Sequence, residues 1–349
     1  MATKVTADRV QWGSYGGTSG PMFLGQLRYE FPKTADIQDR YLYVVASTEG
    51  SSYDAVNMYD QCIVSVGLIQ WAGASVDRLL GQIVEKCGFS VIDSALGEAM
   101  HQYDVGFVKH GDGKWGFIES STGKVISTKL ERQAAFWGCD GVQWTPDAKL
   151  RAKTWAAGFA NVWLDPGARS IQAQWTKPKI REFLLPVVDK TLFDGTTGPE
   201  CEALRAACMS YAANNPAKLA EMFTAGVKRA ESAGLKKWSH DWVCSVLKSI
   251  VVESTWKIWP GRWTKVQPAC KSAFGVDLPL YSVLASWVPP APITPTQPVP
   301  VPPISDTIQE IPVVVEPLPV VPVIITPEPV PRESWISRLL KWFVSLFRG

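Results

Sequence analysis

A chain of 349 residues with 46% hydrophobic residues is long enough to bury one large core or two. Its formal charge of +2, with the 35 Lys and Arg not gathered into a run, excludes the field that carries nucleic-acid binding. Seven irregularly spaced cysteines, no CxxC pair and only three histidines argue against a metal site; reduced thiols and no cofactor are expected.

Residues 1–33 are rich in Gly, Ser and Thr and read as a loop-like entry. They hold no basic start followed by an apolar run, so no Sec-type signal peptide is expected. Thr34 or Asp36 can cap a helix in which Ile37, Tyr41, Val44 and Val45 recur at helical spacing up to Thr48; Gly50-Ser51-Ser52 stops it. Alternation from Asn57 to Gly67 predicts a short hairpin or strand pair. A second helix is expected from about Gln70, through Leu79, Leu80 and Ile83, to Cys87, ended by Gly88. Lys109–Lys114 is Gly-rich but precedes no helix, so it reads as a surface turn, not a phosphate loop. Trp115–Ile118 and Lys124–Ser127 flank Ser121-Thr122-Gly123 as a small hairpin. Ala-rich segments with helical periodicity run from Pro146 to Phe183 and from Pro199 to Ala233, and Ser239–Ser249 is helical too. The expected fold is mainly α, a helical α+β domain with a small β-hairpin insertion.

Of the 26 prolines, 15 lie between Pro289 and Pro331. Each removes a backbone donor and fixes φ, which excludes core helix or inner strand there. Residues 288–332 are therefore an extended, semi-rigid linker, reaching on the order of 130 Å at ~3.1 Å per residue. A ligand for SH3-like domains is the weaker alternative, since basic anchors are absent. In 333–349, Ser334, Arg338, Lys341, Ser345 and Arg348 fall on one helical stripe, and Trp335, Leu339, Trp342, Phe343, Leu346 and Phe347 cover the rest. A helix of about 22 Å falls short of a ~30 Å hydrocarbon core. Trp335, Arg338, Lys341, Trp342, Phe343 and Phe347 are thus expected to bind a membrane interface; docking on a protein surface is the alternative. The globular region spans 1–287, with a possible sub-boundary near 145 between a catalytic part (30–145) and a helical part (146–287).

The chemistry is concentrated between Glu49 and Trp71. A carboxyl at the negative end of an apolar helix suits the protonated form, the state of a general acid that protonates a glycosidic oxygen. Asp60, and after it Asp54, are candidates for a second carboxylate; one at ~6.5–9.5 Å from the acid activates water for inverting hydrolysis. Gly67 lets backbone approach a sugar, and Gln70 both donates and accepts toward an N-acetyl or hydroxyl group. Ser65, Tyr59 and Trp71 complete the candidate substrate-binding set. Of the 16 tryptophans, 14 lie in the globular region, where flat apolar faces serve saccharide sites or ordinary core packing. A rival nucleophilic set is Cys62 with Asp60 and His101 or His110. Cys62 falls where an inward strand residue is expected, however, which suits a buried structural thiol.

Glu49 followed by Ser65-Val66-Gly67-Leu68-Ile69-Gln70 resembles the goose-type lysozyme and soluble lytic transglycosylase branch of the lysozyme superfamily. There a helix-ending Glu precedes a β-like excursion and a Ser-x-Gly-x-x-Gln element that opens the next helix. The likeness covers residues 49–71 of 349. Gly50 stands where family members usually have Ser, and the excursion is polar, rich in Asp and Tyr. The resemblance implies a lysozyme-like domain, Glu49 as acid, and Gly67 and Gln70 shaping the cleft floor. It implies bacterial peptidoglycan as the substrate, hydrolysed or, with the substrate's acetamido and 6-hydroxyl groups completing the reaction, released with anhydro ends. Action in the periplasm or cell envelope, or from a bacteriophage virion, would follow. The alternatives are a non-catalytic wall-binding or structural virion protein, and a membrane-active toxin working through the terminal helix.

Overall fold

Three helices of the computed structural model start at a polar residue followed by proline. The structure describes residues 3–15, 18–30, 35–50, 52–59, 62–181, 198–255 and 259–290. Asp60 lies outside the described residues, as do the Pro-rich segment from 291 and the membrane-binding candidates Trp335, Arg338, Lys341, Trp342, Phe343 and Phe347.

The described residues are mainly helical with two small antiparallel sheets, a general α+β architecture without a closed barrel. The first sheet runs in the order β1 (Gln11–Tyr15), β2 (Thr18–Phe23), β3 (Val56–Asn57), β4 (Ser65–Val66), β5 (Trp71–Ala72). The second pairs β6 (Val105–Lys109) with β7 (Trp115–Glu119). The helices are α1 (Ile37–Glu49), α2 (Ala74–Cys87), α3 (Phe89–Gln102), α4 (Lys129–Arg132), α5 (Pro146–Asn161) and α6 (Pro166–Lys179). After residue 198 come α7 (Pro199–Asn214), α8 (Pro216–Ser232), α9 (His240–Leu247), α10 (Trp259–Phe274) and α11 (Tyr281–Ser286).

Proline at the first turn costs no intrahelical hydrogen bond, because that N–H has no partner in the helix. Thr145, Asp165 and Asn215 each precede such a proline and accept a backbone N–H from the third helical residue of α5, α6 and α8. These starts divide the two long helical segments expected from periodicity. The first breaks at Val162–Leu164 and restarts at Asp165-Pro166; the second breaks at Asn215. Asp36 caps α1 in a reciprocal capping box with Asp39.

Three expectations are corrected. Residues 1–33 are not all loop: Gly13 and Gly20 face each other across β1 and β2, and a Cβ on Gly13 would lie 2.8 Å from the Tyr59 ring. The glycines are there for close packing inside a strand pair. Gln70 does not open a helix. It has φ 55° and closes the turn from β4 to β5, and α2 begins at Ala74 after Gly73, itself at φ 57°. The second hairpin is β6–β7, closed by the turn His110–Lys114; Val125 only bridges to Ile118.

Two hydrophobic clusters fill Met1–Ile293, which is one compact unit; Thr294–Gly349 is a second. One cluster gathers α1, α7, α8, α9 and α10, with Leu42, Val45, Leu204, Tyr211, Trp259 and Trp263 fully buried. The other packs the five-stranded sheet against α2, α3, the β6–β7 hairpin, α5 and the start of α6, around Phe117, Phe136, Trp155 and Phe159. The clusters do not divide at residue 145: α1 belongs with the later helices and α5 with the sheet. Leu68 sits in the first cluster and Val66 in the second, so the turn between β4 and β5 lies on their seam.

Candidate active site

The two halves of the Glu49–Gln70 motif meet in space. α1 ends at Glu49, and Gly50 N–H still bonds to Ala46 O at 3.2 Å. The chain then leaves through β3 and returns through β4, with Val56 opposite Val66. Gly67 N–H donates to Ala55 O at 2.8 Å, which brings the turn back beneath the end of α1. A Cβ on Gly50 would lie 3.0 Å from Gly67 O and 3.2 Å from Gln70 Nε2. That closeness accounts for glycine at position 50, since a larger residue would push the turn away. Gln70 is held within its own turn, donating from Nε2 to Gly67 O at 3.1 Å.

Glu49 does not face the apolar wall that its place on an apolar helix suggests. Its Oε1 accepts from Arg262 Nη1 at 2.7 Å, with the two side chains 16% and 9% exposed. The same nitrogen reaches Thr48 Oγ1 at 2.8 Å and Ser210 O at 3.0 Å. Arg262 on α10 thereby joins the end of α1 to α7. A carboxyl held this way has one oxygen fixed by a cation and a defined orientation.

Asp54 is placed differently. It is 1% exposed, and its carboxylate accepts from Gln26 N–H at 2.9 Å and Leu27 N–H at 2.8 Å. It pins the chain before α1 to the loop after it. Ser65 is buried within β4, between Asn57 and Ala72. Tyr59 is half-buried and lies over the Gly13–Gly20 pair, and Trp71 is half-buried in β5.

Helix α6 seats the turn. Gln172, fully buried, accepts from Leu68 N–H at 3.1 Å and donates to Tyr53 O at 3.3 Å. Gly67, at φ 81°, leaves it room: a Cβ there would lie 2.5 Å from Gln172 Nε2. One turn on, Thr176 Oγ1 accepts from Trp71 Nε1 at 3.1 Å. Between them Trp175 packs on Trp71, with ring centroids 4.4 Å apart. At the other end of α1, Tyr29 Oη donates to Asp39 Oδ1 at 2.8 Å and Lys177 pairs with the same oxygen. Burial pushes the Asp39 carboxyl up, but the Lys177 ammonium and the Tyr29 hydroxyl outweigh it and hold it below its usual value. Burial also raises the Tyr53 hydroxyl, to about 12.

Sequence reasoning missed Arg262, Gln172, Trp175 and Thr176. Ala168, Gln172 and Thr176 share one buried stripe of α6, so polar residues on an apolar face were the available signal. Nothing about Arg262 as a residue type marks it. Cys62 is exposed, not inward, because it stands on the turn before β4. His110 lies in the β6–β7 turn and His101 near the end of α3. All seven cysteines are outside disulfides.

Comparison with protein-family models, curated proteins and solved structures finds no match.

Proposed function

We propose that this chain cleaves the glycan strands of bacterial peptidoglycan, with Glu49 as the acid. The observation that carries the reading is the backbone corner at Gly50, the residue after Glu49, where the Gly67 carbonyl and the Gln70 amide come up against the end of α1. In the reaction, Glu49 first takes up a proton on Oε2, the oxygen opposite the one Arg262 holds, and passes it to the glycosidic oxygen as the anomeric C–O bond breaks. The charge left on Glu49 falls beside the Arg262 guanidinium, 2.7 Å away, which stabilises it. The sugar's own 6-hydroxyl then attacks the anomeric carbon and returns its proton to Glu49, leaving an anhydro end. What supports this transglycosylating route is that Asp54, one of the two candidate second carboxylates, commits its carboxylate to backbone N–H groups and is sealed from water; Asp60, the other, lies outside the described residues.

The test is clearance of purified peptidoglycan. Glu49→Gln should slow it by about 10²–10⁴-fold, the usual contribution of a general acid. Mass spectra of fragments from the unaltered chain should show anhydro rather than reducing ends. The Glu49–Arg262 pair also favours a second reading, a structural tie in a wall-binding protein without activity. On that reading Glu49→Gln lowers the melting temperature and the unaltered chain clears nothing.

A further inference from the structure

We infer that Trp175 and Trp71 together form a saccharide-stacking shelf that receives the apolar face of an N-acetylhexosamine ring next to the Gly67–Gln70 turn. The inference rests on the glycan reading of that turn and names what its flank binds.

Tryptophans among the described residues differ in burial. Trp155, Trp163, Trp259 and Trp263 are fully buried and fill the cores. Trp71 and Trp175 are half-buried at the edge of the sheet-side core, their rings tilted by 52° with centroids 4.4 Å apart. Trp71 is the residue after Gln70, so the shelf begins where the candidate cleft floor ends. Its ring is fixed on two sides, by the bond from Nε1 to Thr176 Oγ1 at 3.1 Å and by Trp175 itself. Thr176 is fully buried and donates in turn to Gln172 O at 2.6 Å. Trp175 thus projects from a helix already locked to the turn by Gln172 and Thr176. A ligand meets a surface whose ordering cost has been met by folding.

The ligand class follows from the chemistry of the surface. A pyranose ring is apolar on the face that carries its C–H bonds and polar around its edge. An indole face matches the first, and the polar groups of the neighbouring turn are available for the second. Trp71 follows Gln70 in the chain, so the shelf holds a sugar unit next to the turn, one that positions the strand without taking part in bond cleavage.

The experiment uses the full chain carrying Glu49→Gln, titrated with the hexamer of N-acetylglucosamine by calorimetry. Trp175→Leu keeps an apolar side chain against Trp71 but removes the aromatic face; Trp175→Phe keeps a face. Trp175→Leu should weaken hexamer binding by about five- to ten-fold and Trp175→Phe by less than about three-fold, at unchanged melting temperature. Equal binding by Trp175→Leu overturns the shelf, even if Glu49→Gln abolishes clearance and the acid assignment stands. A loss that tracks a falling melting temperature, or is the same for Leu and Phe, also overturns it and returns Trp175 to a packing role. If the hexamer fails to bind while the unaltered chain clears peptidoglycan, the shelf is overturned for this ligand. If binding depends on Trp175 but the unaltered chain clears nothing, the shelf stands and the catalytic reading fails.

Discussion

Arg262 ties two helices together through a single nitrogen. One of its nitrogens serves Glu49, Thr48 and Ser210 at 2.7, 2.8 and 3.0 Å, with the side chain 9% exposed. Arg262→Met strands a partly buried carboxylate, so denaturant unfolding should show a loss of about 3 kcal/mol. Arg262→Lys, which keeps the charge but not the planar fork, should recover part of it. Glu131 gives a test of pH dependence. Bonds from Thr128 N–H, from the Lys124 ammonium and from Ser127 N–H lower its pKa from 4.5 to about 2. A depressed carboxyl stabilises the fold fully above its unfolded value and loses that effect as pH falls through the folded one. Glu131→Gln should therefore lower the melting temperature at pH 7, and the difference should shrink below pH 4.5 and vanish near pH 2. Of the residues at the candidate site, Glu49, Gly67 and Gln70 were legible because they are close in sequence and chemically distinctive. Arg262 was not, because its role depends on a helix that returns from more than two hundred positions away.

At the scale of elements, α6 decides whether the turn from β4 to β5 keeps its form. Gln172→Leu is close in size but leaves Leu68 N–H and Tyr53 O without their buried partner, which should cost about 2 kcal/mol. On the proposed function the clearing rate should fall along with stability, since the same bonds hold the turn that carries Gln70 against the end of α1. Gly67→Ala adds a Cβ 2.5 Å from Gln172 at a φ of 81°, and should be the more damaging of the two. The helix start at Pro146 was read from the sequence, but the restarts at Asp165-Pro166 and Asn215-Pro216 were not, because Ala-rich helical periodicity runs on across both breaks. The β1–β2 pair was not, because Gly13 and Gly20 serve packing against Tyr59, and in a linear sequence that use of glycine is indistinguishable from a loop. Gln70 misled for a related reason: the apolar residues after it have helical spacing, but its own positive φ and that of Gly73 hold the chain in a turn until Ala74.

For the whole molecule, the α+β character was legible from periodicity, whereas the partition of helices between two cores was not. Periodicity reports that a helix has an apolar face but says nothing of which neighbour covers it. Residues Met1–Ile293 form a unit separate from Thr294–Gly349. A chain ending at Ile293 should keep its melting temperature and, on the proposed function, clear purified peptidoglycan as fast as the full chain. It should lose sedimentation with anionic vesicles if 333–349 binds membranes as its cationic amphipathic stripe suggests.

The seam has a calorimetric consequence. Leu68 contributes to one hydrophobic cluster, Val66 to the other, and Tyr53 packs against both. Melting either half would expose apolar surface in the other at these three positions, so neither half gains much by loosening alone. Heating should give one endotherm whose van't Hoff and calorimetric enthalpies agree. Replacing Leu68 by alanine should loosen that bond between the halves and broaden the peak toward two transitions.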